Sequence, residues 1–276
     1  MANKRFLNIG CGSILHPAWI NIDVASNNPN VKIVNIIQGL PFNESSAAVC
    51  YSSHVLEHLD KDQAANFVKE CYRVLQSGGT VRLVVPDLEK IVREYLDILD
   101  ELIVGNTNRA TEYEWIMLEL YDQVSRNKPG GNMIKFLENL PQAQKKYVFS
   151  RVGSEVDFIS DYLDDNGKQS NGKDFNFTKY IQRIRFKLSK WLVFIVAGKG
   201  ALQSYERGLF RDSGEMHQWM YDQYSLKNLL EQAGFVNIKV CDAMESCIEG
   251  FAQYCLDAKD DVIRKPDSLY IEASKP

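Results

Sequence analysis

Apolar positions in the first third of the chain fall into short runs separated by stretches with helical spacing. The runs Arg5–Ile9, Ile20–Asp23, Val31–Ile36, Val49–Ser53 and Thr80–Val85 have the length and bounding residues of buried strands. Between the last two, Lys61–Gln76 sets Ala65, Phe67, Val68, Cys71, Val74 and Leu75 near the helical period, which predicts a helix with one apolar face. Ser77-Gly78-Gly79 follows and reads as its glycine C-cap. The link between the first two strands is short, with His16-Pro17-Ala18 leaving room for a turn of helix only. Strand and helix alternating at these intervals predict an α/β fold: a doubly wound, mostly parallel sheet with helices on both faces.

After Pro86 the pattern changes. Asp87–Val104 reads as a long helix, and the next hundred or so residues are largely helical, with polar breaks at Asn127–Asn132 and Asp164–Asp174. The second break, DDNGKQSNGKD, reads as a mobile loop. From Tyr224 the α/β pattern returns, with a helix at Ser225–Ala233, Gly234 as its stop, and strands at Val236–Cys241 and Ser268–Ala273. No internal repeat interrupts this. The simplest architecture is a core from residues 1–96 and 217–276, with residues 97–216 inserted as a helical cap for an acceptor.

Composition narrows the classes. A chain of 276 residues buries ample surface for a stable interior, and a net charge of −4 gives no global case for nucleic-acid binding. The six cysteines show no Cys-x-x-Cys spacing and several sit in apolar runs, which fits buried thiols in a reducing compartment. Met1–Arg5 leads straight into a strand without an apolar leader, and the longest strongly apolar run, Trp191–Ala197, falls far short of the ~20 residues of a spanning helix. A cytoplasmic location is expected.

Two local patterns carry chemistry. In Phe6–Ser13, FLNIGCGS, a strand runs into a Gly-x-Gly turn, and Asn21-Ile22-Asp23 then ends a second strand in a carboxylate. Glycines let backbone amides approach a ligand without a Cβ in the way, and the acid is placed to accept two ribose hydroxyls, so the pair predicts a nucleoside-containing cofactor. The bland alternative is a tight turn with no ligand. In His54-x-x-Glu57-His58, a helix starting near His54 would set all three polar groups on one face at the carboxyl edge of the sheet. Either Glu57 and His58 form a hydrogen-bonded pair that orients that helix, or His54 or His58 is a general base held in its tautomer by Glu57, or the cluster holds a divalent ion.

These segments resemble class I S-adenosylmethionine-dependent methyltransferases over Arg5–Leu88 and Gln218–Ala273. LNIGCGS is similar to the glycine-rich first motif, Asp23 to the ribose-binding acid, and Leu40-Pro41-Phe42 to the segment before the fourth strand. SSHVLEHL resembles the motif after that strand, and RVLQSGGTVRLVVPD the helix-turn-fifth-strand segment. HQWMYDQYSLKNLLEQAGF and DSLYIEA are similar to a bacterial subgroup linked to surface-polysaccharide and glycan biosynthesis. The resemblance implies a seven-stranded Rossmann-like sheet and S-adenosyl-L-methionine as cofactor. It further implies Asp23 on the ribose, Asn35 on the adenine edge, Gly10 and Gly12 admitting the methionine portion with Asn8 and Cys11 beside them, and Ser53 and His54 lining the donor pocket. Departures are Ile14 at the third glycine, Asn35 in place of an acid, and Ala48 in place of an Asp. Some small-RNA 2′-O-methyltransferases are similar in placing a metal-binding acid–histidine cluster where Glu57 and His58 stand, although no metal is assigned to this chain.

A sulfonium methyl is already electrophilic, so the protein has to hold donor and acceptor in line, exclude water and remove a proton from a hydroxyl acceptor. His217, where the insertion rejoins the core, is the foremost candidate base; the alternative is a packing histidine bonded to a backbone carbonyl. Asp87 reads equally as an acceptor ligand or as an N-cap. The expected activity is O-methylation of a sugar or glycan precursor. Alternatives are another small molecule or membrane lipid as acceptor, or a non-catalytic cofactor-binding partner. In the insertion, Phe175–Gly200 holds Lys179, Arg183, Arg185, Lys187, Lys190 and Lys199 and no acidic residue. Packing of its apolar face inside the chain is the favoured reading, and contact with an anionic membrane through 178–198 the other. The acidic run Asp257–Asp261 reads as a solvated loop.

Overall fold

The computed structural model describes residues 5–153 and 177–276, with the backbone alone for 177–183. Seven strands form one sheet: β1 Phe6–Ile9, β2 Ile20–Asp23, β3 Val31–Ile33, β4 Ala47–Ser53, β5 Leu75–Pro86, β6 Val236–Cys241 and β9 Ser268–Ser274. Between the last two, β7 Ala258–Lys259 and β8 Val262–Ile263 make a small hairpin. The order is β3-β2-β1-β4-β5-β9-β6, parallel from β3 to β5, with β9 antiparallel to both its neighbours. The chain runs outward from β1 to β3 and returns to the other side of β1 as β4. This reversal makes a crevice at the carboxyl ends of β1 and β4, where open α/β sheets bind ligands.

The helix α1, Lys61–Val74, starts at a capping box between Asp60 and Gln63 and buries Ala64, Phe67, Val68, Cys71 and Val74 against the sheet. Together with Leu226 and Leu230 of α7, Gln223–Gln232, these residues fill one face of the sheet. Ser77-Gly78-Gly79 is not a C-cap as expected. The helix ends in extended backbone at Leu75, and the three residues open β5, where a register shift against β4 takes up Gly78 at φ +74°. The third strand is likewise shorter than its apolar run, because Asn35 caps a 3-10 turn at Ile36–Gln38.

Beyond β5 stand α2 Leu88–Ile103, α3 Ala110–Ser125, α4 Gly131–Asn139 and α5 Gln142–Val152, and then α6 Phe177–Arg211. The helix α2 crosses the expected boundary at residue 97, so sheet and helical layer share a continuous element. Ile91, Ile98 and Ile116 join α2 to α3, while Trp115, Leu137, Leu140, Val148 and Val152 form the interior of α3 to α5. Arg109 ties the same layer with bonds to Glu94, Asp97, Glu101 and Glu112. The polar segment Asp164–Asp174 lies outside the described residues. No described helix is long and apolar enough to cross a membrane.

The acidic run Asp257–Asp261 is not simply solvated. Asp257 is buried, accepts from Arg82 Nε and Tyr51 Oη at 2.7 and 2.5 Å, and shares Arg82 with Glu272 at 2.7 Å. Arg82 is wholly buried and also donates to the carbonyls of Asp242 and Glu245. One guanidinium thereby fastens the loops after β6 to the middle of the sheet. Removing it leaves two carboxylates buried without their cation. Arg82→Ala should therefore destabilise the fold by ~3–5 kcal/mol in urea denaturation.

Candidate active site at the carboxyl edge of the sheet

The glycine turn is set by its backbone. Gly10 and Gly12 have φ of +69° and +52°, and the Gly10 and Cys11 amides donate to Ile22 O at 2.8 and 3.0 Å. A Cβ at Gly10 would meet Val55 Cγ2 at 2.1 Å, so that position must be glycine for packing. A Cβ at Gly12 would meet nothing within 4 Å, so the turn presents open space on that side. Asp23, half-buried at the end of β2, accepts from the Gly12 amide at 2.8 Å and from Ala25 N at 3.4 Å. A carboxylate offers about four lone-pair sites, so hydroxyl acceptance remains available to it. A glycine turn with open space beside a half-satisfied acid fits an adenosyl group.

The other expected cofactor residues are arranged less directly. Asn8 is buried and donates to Ile14 O and Asn21 Oδ1, both at 2.9 Å, so it pins the loop from beneath. The Asn35 side-chain oxygen accepts from Ile37 N as the N-cap, leaving its exposed amide toward solvent. Burial first, and then the Asp23 charge, push the Cys11 thiol up to about 11, so it is a neutral packing group. Ser53 ends β4, half-buried, next to His54.

No helix begins at His54. His54 sits at φ +53°, and a 3-10 turn covers Leu56–His58 instead. The cluster forms regardless: His54 Nδ1 lies 3.5 Å from Glu57 Oε1, and its Nε2 bonds Ser268 Oγ at 2.8 Å. His58 donates from Nδ1 to Met216 O at 3.2 Å, which leaves the lone pair on Nε2. The His58 and His217 rings stand edge to face with centroids 4.9 Å apart.

His217 is brought there by the backbone. Its amide donates to Gln123 O of α3 at 3.1 Å, while Gln218 and Trp219 both donate to Glu57 O, at 2.6 and 3.2 Å. The ring is 95 % covered, and Nδ1 has no hydrogen-bond partner among the described residues. Burial, then His58, Arg126 and Lys265, hold His217 well below the ordinary imidazole range, and burial does the same to His54. His217 is therefore a neutral base at physiological pH. Arg126 and Lys265 are neighbours that sequence reading missed; each is far from His217 along the chain, and no local motif marks them.

One oxygen of Glu57 and one ring nitrogen each from His58 and His217 lie within 4.8 Å of one another. Two imidazoles and a carboxylate are a donor set that suits a divalent ion. The positive charges of Arg126 and Lys265 acting on the same ring oppose a further cation. Asp87, by contrast, is an N-cap: Oδ1 accepts from Glu89 N and Lys90 N at the start of α2.

Comparison with known proteins agrees with this geometry. Residues 7–83 match the family model described as a methyltransferase domain. That span holds the glycine turn, Asp23 and the His54–His58 loop, which the sheet order places at one crevice. The match covers well under half of the chain and is a likeness of this segment to a methyltransferase domain, the kind of protein that uses S-adenosylmethionine. No curated protein matches in sequence. Among solved structures, a SAM-dependent methyltransferase from Archaeoglobus fulgidus is 12% identical with a TM-score of 0.40, covering 99% of this chain and 86% of that one. One from Thermotoga maritima, described as a possible histamine N-methyltransferase, is 11% identical with a TM-score of 0.39, covering 99% and 82%. Phosphoethanolamine N-methyltransferase 2 of Haemonchus contortus, in complex with S-adenosyl-L-methionine, is 11% identical with a TM-score of 0.37, covering 99% and 49%. Likenesses this distant say nothing of the acceptor.

Asp23→Asn keeps a side-chain oxygen for the Gly12 amide and removes the charge that strengthens bonds to ribose. Calorimetry with S-adenosylmethionine and S-adenosylhomocysteine should show affinity for both falling by ~1.5–3 kcal/mol, with thermal stability nearly unchanged.

Proposed function

We propose that the protein methylates a hydroxyl group on a sugar or glycan precursor, with His217 as the general base and residues 97–216 as the cap that holds the acceptor. The observation that carries this reading is the buried, unpartnered Nδ1 of His217 beside Glu57 and His58 at the carboxyl edge. Bound S-adenosylmethionine supplies a sulfonium methyl that needs no further activation. What remains for the chain is to align the acceptor and to receive its proton.

In the proposed step the methyl would be supplied by the bound cofactor to the acceptor oxygen, and the proton that this oxygen releases would pass to His217 Nδ1. The imidazolium so formed lies close to the buried Glu57 carboxylate, which offsets its charge. His58, fixed by Met216 O, packs against the ring and limits its rotation. Arg126 and Lys265 repel a protonated amine and favour a neutral or anionic acceptor, which supports a hydroxyl over an ammonium. The glycan class is supported by the resemblance of His217–Phe235 and Asp267–Ala273 to the subgroup named above.

Screening nucleotide sugars and glycans for transfer of labelled methyl tests the acceptor class; transfer only to amines would overturn it. His217→Ala should lower turnover by ~10²-fold or more while leaving cofactor affinity intact. Because burial depresses the His217 pKa, the wild-type rate should hold as pH falls through the ordinary imidazole range and drop only below it. A rate that halves near an unperturbed imidazole pKa would assign the proton to another group. Treatment with a chelator should leave turnover unchanged, whereas loss restored by a divalent ion would turn the same three side chains into metal ligands.

A further inference from the structure

The helix α6 is not a rod. Gly198, at φ +78° and ψ −176°, breaks it, and the chain doubles back. Ser189 Oγ meets Tyr205 Oη at 2.9 Å and Lys190 Nζ meets Glu206 Oε1 at 2.8 Å, although sixteen residues of continuous helix would span about 24 Å. The result is a helical hairpin with Gly198 at its tip.

The apolar face expected to pack inside the chain is exposed instead. Trp191 is 57% exposed, Ile195 57% and Val196 82%, and Leu192 and Phe194 are close to half exposed. At 100° per residue these five positions span about 200° of the first arm, and half-buried Val193 falls in the remaining gap, so the end of the hairpin is apolar on nearly every side. A helix that packs on its own domain needs one apolar stripe, and the run Trp191–Ala197 at this tip has no polar side to leave in water.

Charge is segregated along the same element. Phe177–Arg211 holds eight basic residues and one acidic, in a chain whose net charge is −4. The lone acid, Glu206, is bonded to Lys190. Arg185, Lys187 and Lys199 are exposed near the apolar tip. An apolar wedge set among cations with no ion pair among the described residues is complementary to a bilayer surface with anionic headgroups, where acyl chains take the side chains and headgroups the charges.

We propose that the α6 hairpin is a monotopic membrane anchor that inserts its tip, Trp191–Gly200, into the interfacial layer of an anionic bilayer. A second copy of the chain would cover the apolar tip but would bring its own cations against these. The proposal does not rest on the identity of the acceptor or of the base: it concerns where the protein sits, and cofactor binding reports folding separately.

Sedimentation of the full chain with vesicles tests it. At low salt the protein should pellet with phosphatidylcholine–phosphatidylglycerol vesicles, remain in the supernatant with phosphatidylcholine alone, and be released in part by high salt. The triple variant Arg185→Glu, Lys187→Glu, Lys199→Glu should lose partitioning by on the order of 100-fold or more. Ile195→Ser with Val196→Ser should lose it as well, while both variants bind S-adenosylhomocysteine like the wild type. Absence of wild-type binding, or equal binding to neutral vesicles, would overturn the proposal. So would a lipid-free dimer that Ile195→Ser with Val196→Ser dissociates, because the tip would then be an interface between copies.

Discussion

The backbone carbonyl of Glu57, which accepts from the amides of both Gln218 and Trp219, is the contact on which the site depends. Glu57 is fixed by the sheet, because it follows β4 after a single turn. Gln218 arrives from the far end of the helical segment. His217, the residue before it, is meanwhile held by Gln123 of α3. His217, the proposed base, is therefore suspended between sheet and helical layer, and its distance to the glycine turn is set by how those two layers pack. Leu88 donating to Tyr221 O adds a second stitch between the same segments, next to the Asp87 cap.

Burial decides the chemistry of this cluster. Glu57 is wholly buried and His217 nearly so, and burial keeps the His217 imidazole neutral until a proton is delivered. An exposed histidine would be partly protonated near neutrality and would lose part of its capacity as a base. The burial is costly to the fold, because His217 Nδ1 leaves water without a hydrogen-bond partner among the described residues. Arg82 shows the opposite solution beneath the sheet, with every buried charge paired and no chemistry available.

The legible parts of the sequence are those whose geometry is local. The turn at Gly10 to Gly12 and the acid at Asp23 are close in sequence, and parallel pairing of β1 with β2 brings them together. The presence of the first strands and the mostly parallel sheet followed from the alternation of short apolar runs with helical ones. Misreadings arose where a local pattern was overruled from a distance. Ser77-Gly78-Gly79 looks like a helix stop, but the C-terminal strand captures it: Gly78 donates to Lys275 O and Lys275 to Gly79 O. His54 was given a helical position that its left-handed backbone denies, yet Glu57 still reaches it because the 3-10 turn is tighter than an α-helix. Asp257 looks like part of a solvated acidic run, and only folding supplies Arg82 from 175 residues away. Periodicity likewise reported that the basic helix has an apolar side, but not what that side faces.

The hairpin and the site are mechanically joined. Arg211, the last residue of α6, accepts from the Gln218 side chain at 3.5 Å, and the Gln218 amide is the one bonded to Glu57. Force on the hairpin is thus delivered one residue away from His217. On the proposed docking, a hairpin fixed in a bilayer would restrain the segment that carries His217, the proposed base. A soluble acceptor gains nothing from that placement. An acceptor held at the membrane surface does, because its encounter with the base becomes a search in two dimensions. The proposed acceptor site and the proposed membrane contact, read from different residues, therefore meet at Gln218.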